Sequence, residues 1–392
     1  MNVKQTAEQI GEEAISLRRD LHKIAELSFE EYKTAAYVAD YLEGLGLCCR
    51  KNLAKTGVIA FLDAGFQHTL LLRADMDALP VEEQQDVPYC SETNGVMHAC
   101  GHDAHMAILL ATAKCMAEHK EELKTNVLFL FQPGEETDGG AEPMIATGIM
   151  DEFHVTCAAG LHVMNDVDAG KIRIKTGELM AAPDDFELTI YGKGGHGAYP
   201  HECIDPITLA ARIISDFDMI ATRFTTSLSP KVISTCVMKS GSVYNVIPDM
   251  AYLSGTVRTF DKHLRKTIPE MMEKAIKGVC DIAGATYDFQ FNFRYPPLVN
   301  HDGMADALEK AISKELGVEC VVKGGVPSMG GDDFAYFGEH VPSVYFFLGS
   351  GNKKSGITMP LHSSDFQIDE SCLKTGIAAY LALAVNDCAY FG

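Results

Sequence analysis

The sequence predicts an α/β protein in which a mostly parallel, mixed sheet flanked by helices is interrupted by a smaller α+β unit. Three observations carry this expectation. Short apolar segments alternate with helical patterns up to about residue 182, the order then changes to strand, helix, strand, strand, helix, strand, and the first pattern resumes after Tyr295-Pro296-Pro297. Residues 7–24 and 29–45 have helical periodicity, the second stopping near Gly44 and Gly46. Residues 58–62 and 69–73 are apolar strands, 104–118 a helix, and 126–131 and 155–162 strands again. Nearly continuous apolar strands between helices suit a sheet buried on both faces. Residues 185–191 alternate like a half-exposed strand, 206–223 read as a helix, 231–238 and 250–260 as strands, 262–283 as a helix and 287–294 as an alternating strand. That order is the split βαβ arrangement of a ferredoxin-like unit. A helix at 304–316, a strand at 343–348 and a helix at 371–385 complete the chain. The expected organisation is one discontinuous domain, residues 1–182 and 296–392, with residues 183–295 inserted. No internal repeat or low-complexity tract appears.

Composition narrows the function. The chain has 392 residues, 47% hydrophobic and only 22% charged, which argues against disorder. At about 150 residues per domain this length suits two or three domains. With 33 Lys+Arg against 54 Asp+Glu the formal charge is −21, the wrong sign for a surface that neutralises nucleic-acid phosphates. Residues 1–19 lack the apolar core of a signal peptide, and no apolar run approaches the roughly 20 residues that span a bilayer, so a cytoplasmic protein without a membrane span is expected. The 12 cysteines show no CxxC spacing, and most are expected to be buried free thiols.

The strongest local signal is His98-Ala-Cys100-Gly-His102-Asp103-Ala-His105. Cys and His two apart, with a flexible glycine between them, can turn soft donors toward one cation. The alternative is a helical His98/His102/His105 face beside a buried cysteine. Position adds weight, because three strands run into donor residues: 69–73 into Asp75 and Asp77, 126–131 into Glu135-Glu136, and 155–161 into His162. In open α/β sheets ligands bind at the carboxyl ends of strands, so these groups should converge. A fourth strand, 343–348, is followed by a Gly-rich loop leading to His362. In the adjacent Glu pair, one carboxylate can coordinate metal while its neighbour faces a water whose pKa the cation lowers from about 15.7 toward ~7. Glu135 is assigned to proton transfer and Glu136 to coordination. In the inserted unit, His196 sits in a Gly-rich strand end, and Asn245 and Arg258 are candidate carboxylate-binding groups; each also reads as an ordinary surface residue.

Taken together these motifs resemble the hippurate hydrolase and indole-acetyl-amino-acid hydrolase branch of the aminoacylase-like dinuclear metallopeptidases. The likeness runs through nearly the whole chain: Leu17-Arg-Arg-Asp-Leu-His22, Arg73-Ala-Asp-Met-Asp-Ala-Leu-Pro80, Met97-His-Ala-Cys-Gly-His-Asp-Ala-His105, Gln132-Pro-Gly-Glu-Glu136, Gly160-Leu-His162, Gly194-Gly-His196, Asn245-Val-Ile-Pro248, Gly255-Thr-Val-Arg258 and Leu361-His362. The resemblance implies a zinc-peptidase-like catalytic domain holding two divalent ions per subunit, with an inserted lid and dimerisation domain. It implies metal binding by Cys100, His102, Glu136, His162 and His362, Cys100 bridging the ions, Glu136 and His362 on one and His102 and His162 on the other. Sulfur and imidazole favour zinc, and mixed donor sets also hold manganese, cobalt or nickel. Asp75 and Asp77 lie where the wider family places a metal-binding His and its orienting Asp, and here they are expected to support the ligands. By the same likeness His196 stabilises an oxyanion in a partner subunit's site, while Asn245 and Arg258 hold the substrate carboxylate. Ala25 stands where the family usually has proline, and Asp332 where it commonly has glutamate, which leaves a substrate role at 332 open.

The expected activity is a metal-dependent amidohydrolase that cleaves small N-acyl amino acids to a carboxylic acid and a free amino acid, working as a homodimer. The alternatives are a dipeptidase or carboxypeptidase acting on free peptides, and a catalytically silent metal-binding homologue.

Overall fold

The computed structural model of the protein describes residues 1–390. Two compact units emerge. One comprises Met1–Leu179, Val299–Val326 and Asp333–Gly392, the other Met180–Leu298 and Pro327–Asp332.

The first unit is built on an eight-stranded mixed sheet. Its spatial order is Cys48–Leu53, Gly57–Leu62, Asn126–Gln132, Thr69–Asp75, Val155–Asp168, Ser343–Gly351, Ile172–Ile174, Val321–Lys323. The central strands Asn126–Gln132, Thr69–Asp75, Val155–Asp168 and Ser343–Gly351 are mutually parallel, so their carboxyl ends share one edge. Thr69–Asp75 and Asn126–Gln132 are buried along their whole length, as their nearly continuous apolar runs suggest. The helices Val3–Lys23, His102–Glu118 and Cys372–Val385 pack on one another and share a core with the sheet.

Several boundaries differ from expectation for local reasons. The first helix starts at Val3, where Asn2 caps Gln5 N–H at 3.1 Å. The second starts at Tyr32 rather than 29, because Phe29 takes a left-handed φ of 61°. The helix after the cysteine motif starts at His102, with Gly101 as N-cap at φ 87°. A side chain at Gly101 would collide with Val163 Cγ2, so glycine is required for space as well as for φ. The strand 155–162 runs on to Asp168, and Cys48–Leu53, not predicted as a strand, is an exposed edge strand lacking any alternating apolar pattern.

The second unit is a four-stranded antiparallel sheet ordered Lys231–Ser240, Met250–Thr259, Ala182–Tyr191, Thr286–Asn292. The helices Pro206–Met219 and Lys262–Ala283 pack against it, which is the ferredoxin-like topology. Phe186, Leu188 and Ile190 of the inner strand meet Ile213, Phe217, Ile268, Met272 and Ile276 of the helices in a separate core. Both helices start at the expected residues, 206 and 262, and the structure shows why: Asp205 accepts from Ile207 N–H ahead of Pro206, and Asp261 accepts from His263 and Leu264 N–H. The first of these helices ends at Met219 and passes into a wider turn over Ile220–Phe224, shorter than the continuous helix expected.

Candidate metal centre

The parallel strand ends deliver the donors. Thr69–Asp75 leads to Asp75 and Asp77, Asn126–Gln132 to Glu135 and Glu136, and Val155–Asp168 carries His162. His102 opens its helix one residue after Gly101, and His362 follows the loop beyond Ser343–Gly351. In that loop His362 is held at a left-handed φ of 65° while its N–H donates to Ala99 O at 2.8 Å, next to Cys100. A non-glycine residue in this region is strained, and here the strain accompanies a side chain facing the donor cluster.

Ligand atoms of Cys100, His102 and His162 lie within 4.8 Å of one another, as do those of Cys100, Glu136 and His362, and those of His102, Glu135 and Glu136. Cys100 Sγ is 3.4 Å from His162 Nε2, and Glu136 Oε1 is 3.4 Å from His362 Nε2 and 3.8 Å from His102 Nε2. His102 Nε2 and Glu136 Oε1 are buried without a hydrogen-bond partner. Buried polar atoms are rarely left so, and convergent orphaned donors are what a cation between them would satisfy. Cys100, His102 and Glu136 each belong to two of these triplets, so the three groups form one continuous cluster.

The imidazoles are aimed from behind. His102 Nδ1 donates to Asp77 O at 2.9 Å and His162 Nδ1 to Val163 O at 2.8 Å, which leaves each Nε2 as the free lone pair. Asp77 Oδ2 also accepts from Glu136 N–H at 2.9 Å and Ser28 Oγ–H at 2.6 Å, so one residue braces two proposed ligands, His102 through its main-chain oxygen and Glu136 through its carboxylate. Asp75 is occupied otherwise. It accepts from His105 Nδ1 at 2.6 Å and Arg73 Nη1 at 2.6 Å, and His105 Nε2 accepts from Val163 N–H at 3.0 Å. Arg73 in turn reaches Asp333 at 2.8 Å and Gln132 at 3.0 Å, and Asp333 accepts from Gln132 Nε2 and Ala141 N–H.

The electrostatics of the cluster suit a cation. Burial pushes the Cys100 thiol well above its ordinary range, and the carboxylates of Glu136 and Glu135 push it further. Burial would lower His102, but Asp75, Asp77 and Glu136 outweigh it and raise the imidazole to about 10. Thiolate and neutral imidazole are the forms that bind a divalent ion, so binding here would displace protons from Cys100 and His102. The set fits a metal.

The general-base candidate Glu135 is buried at 6% exposure. The Gly134 N–H ahead of it donates to buried Glu31 at 2.9 Å, and Glu31 also accepts from Phe29 N–H and Thr56 Oγ1–H. His362 is half-exposed, with 53% of its side chain open to solvent. His196, Asn245 and Arg258 belong to the second unit. His196 pairs with Val246 in a short antiparallel ladder, Gly197 N–H donates to Asn245 O at 2.9 Å, and Ala198 N–H donates to His196 Nδ1 at 3.1 Å. Arg258 sits half-buried on the strand Met250–Thr259, opposite Val232 and Pro183.

Sequence reasoning quoted Arg18, His22 and Asp103 within its motifs but assigned no role to the second buried polar cluster they form. His22 Nδ1 lies 2.7 Å from Asp103 Oδ2 and His22 Nε2 3.2 Å from Glu83, while Arg18 Nε is 2.7 Å from Asp103. Arg19 forks onto Glu370 at 3.0 and 2.6 Å. Only the helical spacing of Arg18 and His22 could have flagged them, because Asp103 is 81 residues away from His22.

The sequence profile of peptidase family M20/M25/M40 matches residues 71–386. The N-acyl-L-amino acid amidohydrolase of Geobacillus stearothermophilus is 42% identical over 303 residues, covering 76% of this chain and 81% of the relative. Thermostable carboxypeptidase 2 of Saccharolobus solfataricus is 38% identical over 389 residues, covering 98% of each. The crystal structure of the Bacillus subtilis YXEP protein, a dinuclear metal-binding peptidase of the M20 family, superposes with a TM-score of 0.84 at 34% identity, covering 96% of this chain and 98% of that one.

Proposed function

The chain belongs to peptidase family M20/M25/M40 and is a metal-dependent amide hydrolase, and from that premise we propose that it cleaves N-acyl amino acids to a carboxylic acid and a free amino acid. The observation that carries this reading is the convergence of Cys100, His102, Glu136, His162 and His362 with Glu135 beside them. We assign two divalent ions to these donors, zinc or manganese in first place with cobalt or nickel also compatible, Cys100 shared between them, Glu136 and His362 on one side and His102 and His162 on the other. When bound, such ions polarise a carbonyl and acidify water. Glu135 takes a proton from the attacking water and delivers it to the departing nitrogen, so that the hydroxyl ends on the acyl carbon and the hydrogen on the amine as the C–N bond breaks. Asp77 and Val163 keep the His102 and His162 rings turned so that Nε2 faces the donors, and Asp75 is committed to Arg73 and His105.

We assign the second unit the roles of lid and dimer contact. His196 would stabilise the oxyanion in a partner subunit's site, and Asn245 and Arg258 would hold the substrate carboxylate. Phe224, Leu228, Val243 and Tyr244 leave large apolar side chains exposed on this unit, which favours a homodimer through it. No helix among the described residues is long and apolar enough to cross a membrane, and a reducing cytoplasm suits a centre built on a thiol. Likeness to a thermostable carboxypeptidase supports a second reading, cleavage of free peptides.

The test is Glu135→Gln assayed on acetyl, benzoyl and indole-acetyl amino acids and on dipeptides, with metal content measured alongside. Turnover is expected to fall by about 10²–10⁴, the usual worth of general acid-base help, with metal retained. Activity like the parent's would overturn the assignment, and preference for dipeptides would favour the second reading.

A further inference from the structure

The turn that carries Glu135 is held by a segment with no part in the reaction as described above, residues 26–31. We propose that Glu31 is a positioning residue for Glu135, acting through the Gly134 backbone with the Phe29 ring behind it, a proposal that rests on Glu135 being the general base.

Gly134 lies two residues beyond the strand Asn126–Gln132, at a left-handed φ of 67°. Glycine takes either sign of φ at little cost, so a turn of this kind is fixed by what holds it from outside. Its N–H donates to Glu31 Oε1 at 2.9 Å, and its main-chain oxygen accepts from Gly139 N–H at 3.1 Å. A Cβ at this position would collide with the Phe29 ring, which therefore lies directly against the turn. Glu135 comes next in the chain, and the dihedral angles of Gly134 decide where its side chain leaves the backbone.

Glu31 is equipped for this hold. It is fully buried, and a carboxylate in that state is costly unless donors fill its oxygens. Three do, from three separate parts of the chain. Oε1 accepts from Gly134 N–H and from Phe29 N–H at 2.8 Å, and Oε2 accepts from Thr56 Oγ1–H at 2.5 Å. Phe29 itself stands at φ 61°, a conformation that a bulky residue keeps only where its surroundings impose it. One carboxylate thus fixes both the turn and the ring packed on it.

The same segment reaches the proposed ligand Glu136 by a separate route. Ser28 Oγ–H donates to Asp77 Oδ2 at 2.6 Å, and Asp77 Oδ2 accepts from Glu136 N–H at 2.9 Å. Glu26 O accepts from Ala78 N–H at 2.8 Å, and Glu26 Oε2 accepts from Lys33 and Thr34 N–H at 2.9 Å, which ties the segment to the helix Tyr32–Gly44. Glu136 keeps this brace when Glu31 is removed. The loss should therefore fall on the base and spare the ligand.

The experiment is a double-mutant cycle between Glu31→Ala and Glu135→Gln in the metal-loaded full chain. It reads kcat and KM on N-acyl amino acids, with metal affinity from a chelator titration and melting temperature for each variant. Glu31→Ala should lower kcat about 10²-fold, the cost of a small misplacement of a reacting group, with KM and metal affinity little changed. In the Glu135→Gln background the same change should cost about twofold or less, because the group it positions is already gone. Glu31→Gln should restore most of the lost kcat, since its Oε1 still accepts from Gly134 and Phe29 and its amide donates to the Thr56 hydroxyl. If Glu31→Ala does not fold, Glu31→Asp, which keeps the charge and draws it back by one carbon, carries the same cycle. Equal losses in the two backgrounds overturn the proposal by assigning Glu31 to the fold at large, and so does a parental kcat in Glu31→Ala. A fall in metal affinity that matches the fall in kcat also overturns it, moving the effect to Glu136. Parental turnover in Glu135→Gln, or failure to cleave any acyl amino acid, overturns the underlying reading instead.

Discussion

Replacing Asp77 by asparagine separates a residue that orients ligands from one that is itself a ligand. Asp77 is 1% exposed, and its Oδ2 accepts from Glu136 N–H and Ser28 Oγ–H while its main-chain oxygen accepts from His102 Nδ1. In Asp77→Asn the remaining carbonyl can still accept from both donors, but the new NH2 then lies where Oδ1 stood, 3.3 Å from the N–H of His102 Nδ1. Hydrogen bonds to a charged acceptor are worth about 1.5–3 kcal/mol against about 1 for neutral ones, so weakening two of them costs about 1–4 kcal/mol. Loss of an orienting partner typically lowers metal affinity about 10- to 100-fold, or about 1.4–2.7 kcal/mol, which falls inside that range. Titration of the metal-free protein against a chromophoric chelator reads the affinity directly, and turnover at saturating metal reports whether geometry is restored once the ions are in. Unchanged affinity would refute the orienting role, and complete loss of one ion would show that Asp77 is a ligand.

Other outcomes follow from the same geometry. Arg73→Met should cost about 3–5 kcal/mol in urea denaturation, because it takes from buried Asp75 and Asp333 the guanidinium they share; a change near zero would mean that the two carboxyls find protons or water at little cost. Burial would lower His22, but Asp103 and Glu83 outweigh it and hold its pKa above 6.5. A raised imidazole pKa stabilises the fold fully below about pH 6.5 and progressively less as pH rises through the folded value. The stability gap between the parent and His22→Gln should accordingly be largest near pH 6 and shrink by pH 8.5 in denaturant titrations; a gap that widens with pH would contradict the pairing. Stripping metal with a chelator should lower the melting temperature of the first unit, since ligand at 100 times its Kd stabilises by about 2.7 kcal/mol. Differential scanning calorimetry with and without added ion checks this, and identical thermograms would argue against a site in that unit.

Local pattern revealed a good deal of this protein. Nearly continuous apolar runs at 69–73 and 126–131 announced strands buried on both faces, and alternation at 185–191 announced one with an exposed side. The helices expected at 206 and 262 do start there, where Asp205 and Asp261 cap them, because capping depends on neighbours two or three residues away. Placing Asp75, Glu135, Glu136 and His162 just beyond or near strand ends was enough to expect them at one edge, since parallel strands share a carboxyl edge. What sequence could not allot was the task of each carboxylate. Asp75 and Asp77 are two residues apart and chemically identical, yet one is bound to Arg73 and His105 and the other to His102, Glu136 and Ser28. Arg73 is in turn shared with Asp333, 260 residues on. Such partners are chosen by which side chains the packed strands bring within about 3 Å, a property of through-space geometry that periodicity does not encode. The exposed edge strand Cys48–Leu53 escaped for a related reason: its pairing with Gly57–Leu62 is through the backbone, and its side chains carry no apolar pattern to betray it.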